Sequence, residues 1–104
     1  MISITQPAAK WYINELDLSE GDAVRFYARY GGHGGLHRGF SLGLAIERPK
    51  NPFFHTEASG ISFFVEESDA WYFEGYDFHI KYKRKYDEIE FSFEPKENAN
   101  SNDS

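Results

Sequence analysis

The sequence predicts a β-rich α+β fold with an N-terminal helix, a short second helix and mostly antiparallel strands. Three observations carry that expectation. Aromatic residues make up 18% of the 104 positions, and rings favour pleated, half-buried surfaces over long helices. Only one stretch, near the start, repeats its apolar residues at helical spacing. Nearly everything after residue 22 alternates apolar and polar residues, the mark of strands with one buried face.

The elements follow in order. In "ITQPAAKWYINELDLSEG" Thr5 serves as N-cap, Pro7 falls in the first turn, and Ala9, Tyr12, Ile13 and Leu16 share a face. Gly21 ends the turn behind this helix. "DAVRFYARY" sets Val24, Phe26, Ala28 and Tyr30 against Arg25, Tyr27 and Arg29, and "FSLGLAIE" sets Phe40, Leu42, Leu44 and Ile46 on one side. Pro49 and Pro52 break the chain next, because proline cannot continue a ladder. "FFHTEASGISFFVEE" reads as two strands turning at Ser59 and Gly60, and "ESDAWYFEG" as a short helical turn stopped by Gly75. The last unit, "FHIKYKRKYDEIEFSFE", is expected to turn at Asp87 and Glu88, placing Tyr82 opposite Phe93, Arg84 opposite Phe91 and Lys81 opposite Glu94. A single domain is expected over residues 1–95, with a disordered polar tail over 96–104.

Composition excludes several functions. A net charge of −6 disfavours nucleic acid, whose phosphates demand concentrated Lys and Arg. The basic run "HIKYKRKY" is expected to be neutralised by glutamates on the neighbouring strand. Cysteine is absent, which removes disulfides, thiolate nucleophiles and cysteine-held metal centres. No charged-then-apolar leader opens the sequence, and no segment approaches the roughly 20 apolar residues of a membrane span, so a cytoplasmic protein with no membrane partner is expected.

Two regions invite a functional reading. The first is "RYGGHGGLHRGF", residues 29 to 40, with Gly31, Gly32, His33, Gly34, Gly35 and His37 as a ligand or partner loop. His33 and His37 would hold a metal, iron or zinc, if the loop wrapped an ion and His55, His79 or a carboxylate supplied a third ligand. The plainer alternative is a solvated loop whose glycines take positive φ. The second region is "DAWYFEGYDF", residues 69 to 78. Trp71, Tyr72, Phe73, Tyr76 and Phe78 exceed what one small core accommodates, pointing to an interaction surface or an oligomer seam; the alternative is that they complete the core under the short helix. "GFSLG", residues 39 to 43, matches a nucleophile-elbow pattern at Ser41, but a loop precedes the serine and a strand follows it, so no hydrolase is expected there. No acid–base or nucleophile set stands out, and a non-enzymatic protein is expected.

The opening "ISITQPAAKWYINEL", the strand after it, the "RYGGHGG" loop and the strand beginning near Phe40 resemble the HesB/IscA-like family of A-type iron–sulfur carriers, over about Met1 to Pro95. The resemblance implies curved strands in two packed sheets or a flattened barrel with a helix on one side, and a link to iron–sulfur cluster assembly or iron handling. It also places His33 where that family has its loop cysteine and Asn98 to Asn100 where it has a Cys-Gly-Cys. Without those thiolates a stable iron–sulfur cluster on this chain alone is not expected. The resulting expectation is a cysteine-less relative that binds a ligand, metal or protein partner at the His33 loop.

Overall fold

The computed structural model describes residues 1–32 and 35–96. Strand β1 (Ile2–Ile4) leads into helix α1 (Gln6–Leu16), then β2 (Ala23–Tyr30), β3 (Phe40–Ile46), β4 (Pro52–Ala58) and β5 (Ile61–Glu66). A 3₁₀ turn (Glu67–Asp69) runs directly into α2 (Ala70–Phe73), and β6 (Tyr76–Lys83) and β7 (Glu88–Pro95) complete the order. The strands form two open sheets, β1-β6-β7 and β3-β2-β5-β4. The α+β, strand-rich class expected from the sequence is therefore correct, as are both helices. The pairs β1–β6 and β2–β5 are parallel and the others antiparallel. Among the described residues, no helix is long and apolar enough to cross a membrane.

The helix starts where the sequence says it should. Thr5 is extended and its Oγ1 accepts from the Ala8 N–H at 3.3 Å, while Pro7 occupies the first turn, where its missing donor costs nothing. It stops at Leu16, earlier than Gly21 alone would dictate, because Asp17 turns left-handed at φ 56° and Leu18 N–H closes back on Ile13 O. Asp tolerates that region better than most side chains. Ala8, Ala9 and Tyr12 form its buried face.

Rings pack with aliphatic side chains such as Val24, Ile61, Val65 and Ile80 in the interior between the sheets. Phe26 from the four-stranded sheet meets Phe78 of the three-stranded sheet edge-on at 5.5 Å, Phe78 stacks on Phe93 at 5.2 Å, and Tyr12 reaches Phe26 at 6.0 Å from the helix. Edge-to-face pairs of this kind add to the transfer energy of burying the rings.

Strands β2 and β3 pair as the alternation predicts, Phe26 with Leu44 and Ala28 with Leu42. The β4–β5 hairpin turns at Ser59 and Gly60, both with positive φ, as a type I′ turn requires. The β6–β7 register differs from expectation by four residues: Tyr82 faces Ile89, Ile80 faces Phe91 and Phe78 faces Phe93. The expected register would have set Arg84 against Phe91. The observed one fills every inward row with apolar side chains and moves Arg84, Lys85, Tyr86 and Asp87 into the turn. Because the shift is even, each side chain keeps its face. Lys81 lies opposite Glu90, not Glu94, and Lys83 approaches Glu90 at 3.8 Å, so the basic run does meet acidic neighbours. The polar tail from residue 97 onward, including Asn98 to Asn100, lies outside the described residues.

Candidate functional site

The two regions singled out in the sequence meet at one end of the molecule. The 3₁₀ turn and α2 carry Tyr72 and Phe73 into the core, where neither is exposed. The Tyr72 hydroxyl extends outward beneath the β2–β3 connection and accepts the Leu36 N–H at 2.6 Å. His37 Nε2 lies 3.0 Å from the Tyr72 backbone carbonyl. A carbonyl only accepts, so this nitrogen carries the hydrogen and donates. One residue of α2 thus holds the loop through both its side chain and its main chain.

Glycine is needed in the connection for two separate reasons. Gly31 and Gly39 have φ of 97° and 86° and close its neck through a Gly31 N–H to Gly39 O bond of 2.6 Å. Gly35 sits so close to the Tyr72 hydroxyl and the Phe40 carbonyl that a Cβ would collide with both. Gly32 follows the neck and lies against the Ser41 side chain. His33 and Gly34 lie outside the described residues.

What the docked loop and α2 present outward is a chain of rings. His37 lies 6.0 Å from Trp71, Trp71 meets Phe40 edge-on at 5.2 Å, and Phe40 meets Tyr30 at 5.7 Å. Trp71 is 49% exposed and Tyr30 86% exposed. On the other flank of Trp71 a groove of about 310 Å³ runs past Phe53, Ala70, Phe73 and Glu74 to Lys96. Phe53 is exposed and tilted against Phe54 at 4.6 Å. The sequence alternatives for residues 69–78 are therefore divided: Tyr72, Phe73 and Phe78 complete the core, and Trp71 stands on the surface.

A charge cluster fixes α2 beneath this surface. Strand β2 pairs with β5 only over Ala23–Arg25, and farther along the Asp69 carboxylate accepts the Ala28 N–H at 3.4 Å. The Arg25 guanidinium donates to Asp69 and to Glu47, each at 2.7 Å. The Glu47 hydrogen bond, with Asp69 adding and burial opposing, pushes Arg25 above its ordinary range. Asp69 is 8% exposed, so the pair is partly desolvated and directional.

No group of three His, Asp or Glu side chains converges as a metal site among the described residues. His37 turns its Nε2 to a carbonyl, and His55 and His79 are engaged elsewhere, with Ser62 and Ser3 respectively. Ser41 lies within β3, not on a strand-to-helix elbow. The sequence reading missed one arrangement, Ser3 Oγ at 2.6 Å from His79 Nδ1 with Glu94 3.7 Å from Nε2. The parallel β1–β6 pairing creates it, and no local signal reveals it. The carboxylate lies beyond hydrogen-bond distance and is mostly exposed, so nothing orients the imidazole as a base.

Fold and surface together define a small two-sheet α+β domain that presents exposed rings beside a loop hydrogen-bonded to a buried tyrosine. Comparison with known proteins gives the particular family. The chain is 45% identical over 93 residues to the pyruvate dehydrogenase inhibitor of Bacillus subtilis, covering 89% of this chain and 98% of that protein. It is 35% identical over 95 residues to an uncharacterized protein of Staphylococcus aureus USA300, and 32% identical over 94 residues to one of Staphylococcus saprophyticus. Each staphylococcal match covers 88% of this chain and 96% of the relative. The chain belongs to the family of these proteins. No family model matches it. These findings correct the HesB/IscA resemblance and the iron–sulfur assembly role it implied: the Bacillus subtilis relative is named as a pyruvate dehydrogenase inhibitor, and the described residues gather no group of metal ligands. Element order and a glycine loop carried that resemblance, and glycine-rich connections serve many strand pairs for conformational reasons alone.

Proposed function

We propose that the protein is a non-enzymatic interaction module that inhibits pyruvate dehydrogenase by docking its aromatic ridge on that enzyme, without a metal or cluster. One observation carries the reading: Tyr30 at the end of β2, Phe40 at the start of β3, Trp71 on α2 and His37 on the loop fastened to the buried Tyr72 form a continuous line of rings, part of it well exposed. Exposed aromatic side chains on a preorganised support are what high-affinity contacts are made from, because little entropy remains to be lost on binding. The groove past Phe53 offers a partner side chain a place beside Trp71, and His37 lies beside the same ring. The near full-length match to a protein named as a pyruvate dehydrogenase inhibitor supports the choice of partner and outcome. A cytoplasmic setting belongs to the same reading, in keeping with a chain that contains no cysteine.

The test is a titration of the purified chain into the Bacillus subtilis pyruvate dehydrogenase complex, following NADH formation and direct binding. The expected result is saturable inhibition that Trp71→Ala weakens by at least about tenfold, the loss of about 1.4 kcal/mol at a central contact. Full enzyme activity at saturating chain, or inhibition untouched by both Trp71→Ala and Tyr30→Ala, would remove the proposal.

A further inference from the structure

The outer edge of β3 is the least guarded strand edge of the fold. It is last in the order β3-β2-β5-β4, and among the described residues no strand pairs with its outer side. Exposed edges invite pairing with another chain, and proteins ordinarily blunt them with charge, proline or brevity. The opposite sheet does so: β7 carries Glu88, Glu90, Glu94 and Pro95, and β1 is three residues long. Strand β3 reads Phe-Ser-Leu-Gly-Leu-Ala-Ile over seven residues, with no charge and no proline.

We infer that β3 pairs with β3 of a second copy, antiparallel about Gly43, joining the two four-stranded sheets into one. The run is a near palindrome. Centred on Gly43, it sets Phe40 opposite Ile46 of the second copy, Ser41 opposite Ala45, and Leu42 opposite Leu44, large against large and small against small in every row. A two-fold interface requires that self-complementarity.

The hydrogen-bonding phase agrees. Gly31 N–H bonds Gly39 O, and Glu47 N–H bonds Ala23 O. The odd-numbered residues of β3 therefore face β2, and those bonds are already made. The N–H and C=O of Leu42 and Leu44, and the N–H of Ile46, point to the open side. Antiparallel pairing joins these groups to their counterparts, because Leu42 and Leu44 face each other across the axis.

Side chains favour the same occupant. Leu42 and Leu44 pack against the core but are only partly covered, and Ile46 is 53% exposed. Continuing the sheet would extend the interior over this row. On the other face the Tyr27 ring lies over Gly43, where a Cβ would strike it. A ring over a bare edge glycine shields the backbone there, and the two-fold axis sets two such rings side by side.

Sedimentation velocity across a concentration series, joined with amide hydrogen exchange, tests the inference without pyruvate dehydrogenase, so its result is independent of the inhibitor reading. The expected mass is twice that of the chain, with Leu42, Leu44 and Ile46 amides gaining protection as concentration rises. Ile46→Lys, at an exposed position that leaves the monomer fold intact by circular dichroism, is expected to weaken self-association at least about tenfold. A chain that stays monomeric at millimolar concentration, or a dimer whose three outward amides exchange as fast as in the dilute chain, would overturn it. So would a dimer that Ile46→Lys does not weaken.

Discussion

The connections β2–β3 and β6–β7 close antiparallel pairs of similar length by contrasting means. Residues 84–87 turn within their own hairpin: Tyr86 N–H bonds Lys83 O, Asp87 N–H bonds Arg84 O, Asp87 takes φ 51°, and the Tyr82 hydroxyl donates to the Asp87 carboxylate at 2.8 Å. Every fastening is a few residues away in sequence. The glycine-rich connection, in contrast, is held by Tyr72, 35 and 36 positions downstream. The first is a charged surface turn that ends a strand pair. The second is a platform for exposed rings, because a core residue determines where it lies. A loop's composition says it can bend, and only its anchor says whether it presents a fixed surface.

The largest test of this contrast is Tyr72→Ala. It removes a fully buried ring and the support of the glycine connection together, and is expected to cost about 3–5 kcal/mol in denaturant unfolding. Any protein that folds should inhibit far less, since Leu36 and His37 lose their seat. Gly35→Ala comes next. Its methyl group must displace the Tyr72 hydroxyl or the Phe40 strand start, at an expected cost of about 1–3 kcal/mol by the same measurement. Tyr72→Phe is narrower: the ring stays and the Leu36 N–H loses its acceptor, for about 1 kcal/mol and faster exchange of the Leu36 amide. Tyr82→Phe, the matching change in the other hairpin, should disturb only residues near Asp87 and leave exchange at Leu36 unchanged. If Tyr82→Phe loosened the glycine connection as much as Tyr72→Phe, the distinction between the two turns would fail.

Alkaline pH sharpens the same contrast between interior and surface hydroxyls. Burial pushes the Tyr12 phenol well above its ordinary value. A raised folded value means its contribution is intact below the unfolded phenol value of about 10 and is lost as pH climbs beyond it. Stability should therefore hold to about pH 10 and then fall by about 1 kcal/mol per unit, with ionisation of Tyr12 seen by absorbance only as the chain unfolds. Tyr82, whose phenol is raised chiefly by its hydrogen bond to Asp87, should ionise in the folded protein. Tyr12→Phe should flatten the alkaline decline.

Much of the fold was legible because period-2 patterns and turn chemistry act locally. Phe40, Leu42, Leu44 and Ile46 declared their shared face, Ser59 and Gly60 their turn, and Thr5 its cap. What escaped was set by distant partners or by an unusual conformation. Strand β1 is three residues long and exists only because β6 lies beside it. Asp17 stops the helix by turning left-handed, which its side chain permits but does not announce. The β6–β7 register depended on rows such as Phe78 against Phe93, and the charge pairing of Lys81 satisfied two registers equally well. In the site, the glycine connection and the Trp71 segment were each visible. Their union was not, because a hydroxyl seated in the core joins them across 36 positions.

That hydroxyl has a further effect. Tyr72 stands among Phe73 and Phe93 with its far end under the Leu36 amide, so the outward rings inherit their placement from the packing below. A methyl group gained or lost near Phe93 is expected to tilt Tyr72 and move the Leu36–His37 segment it holds, with no exposed side chain substituted. Engineering the binding face would then mean treating interior and exterior positions as one unit, and the most effective substitutions for tuning it need not be visible from outside.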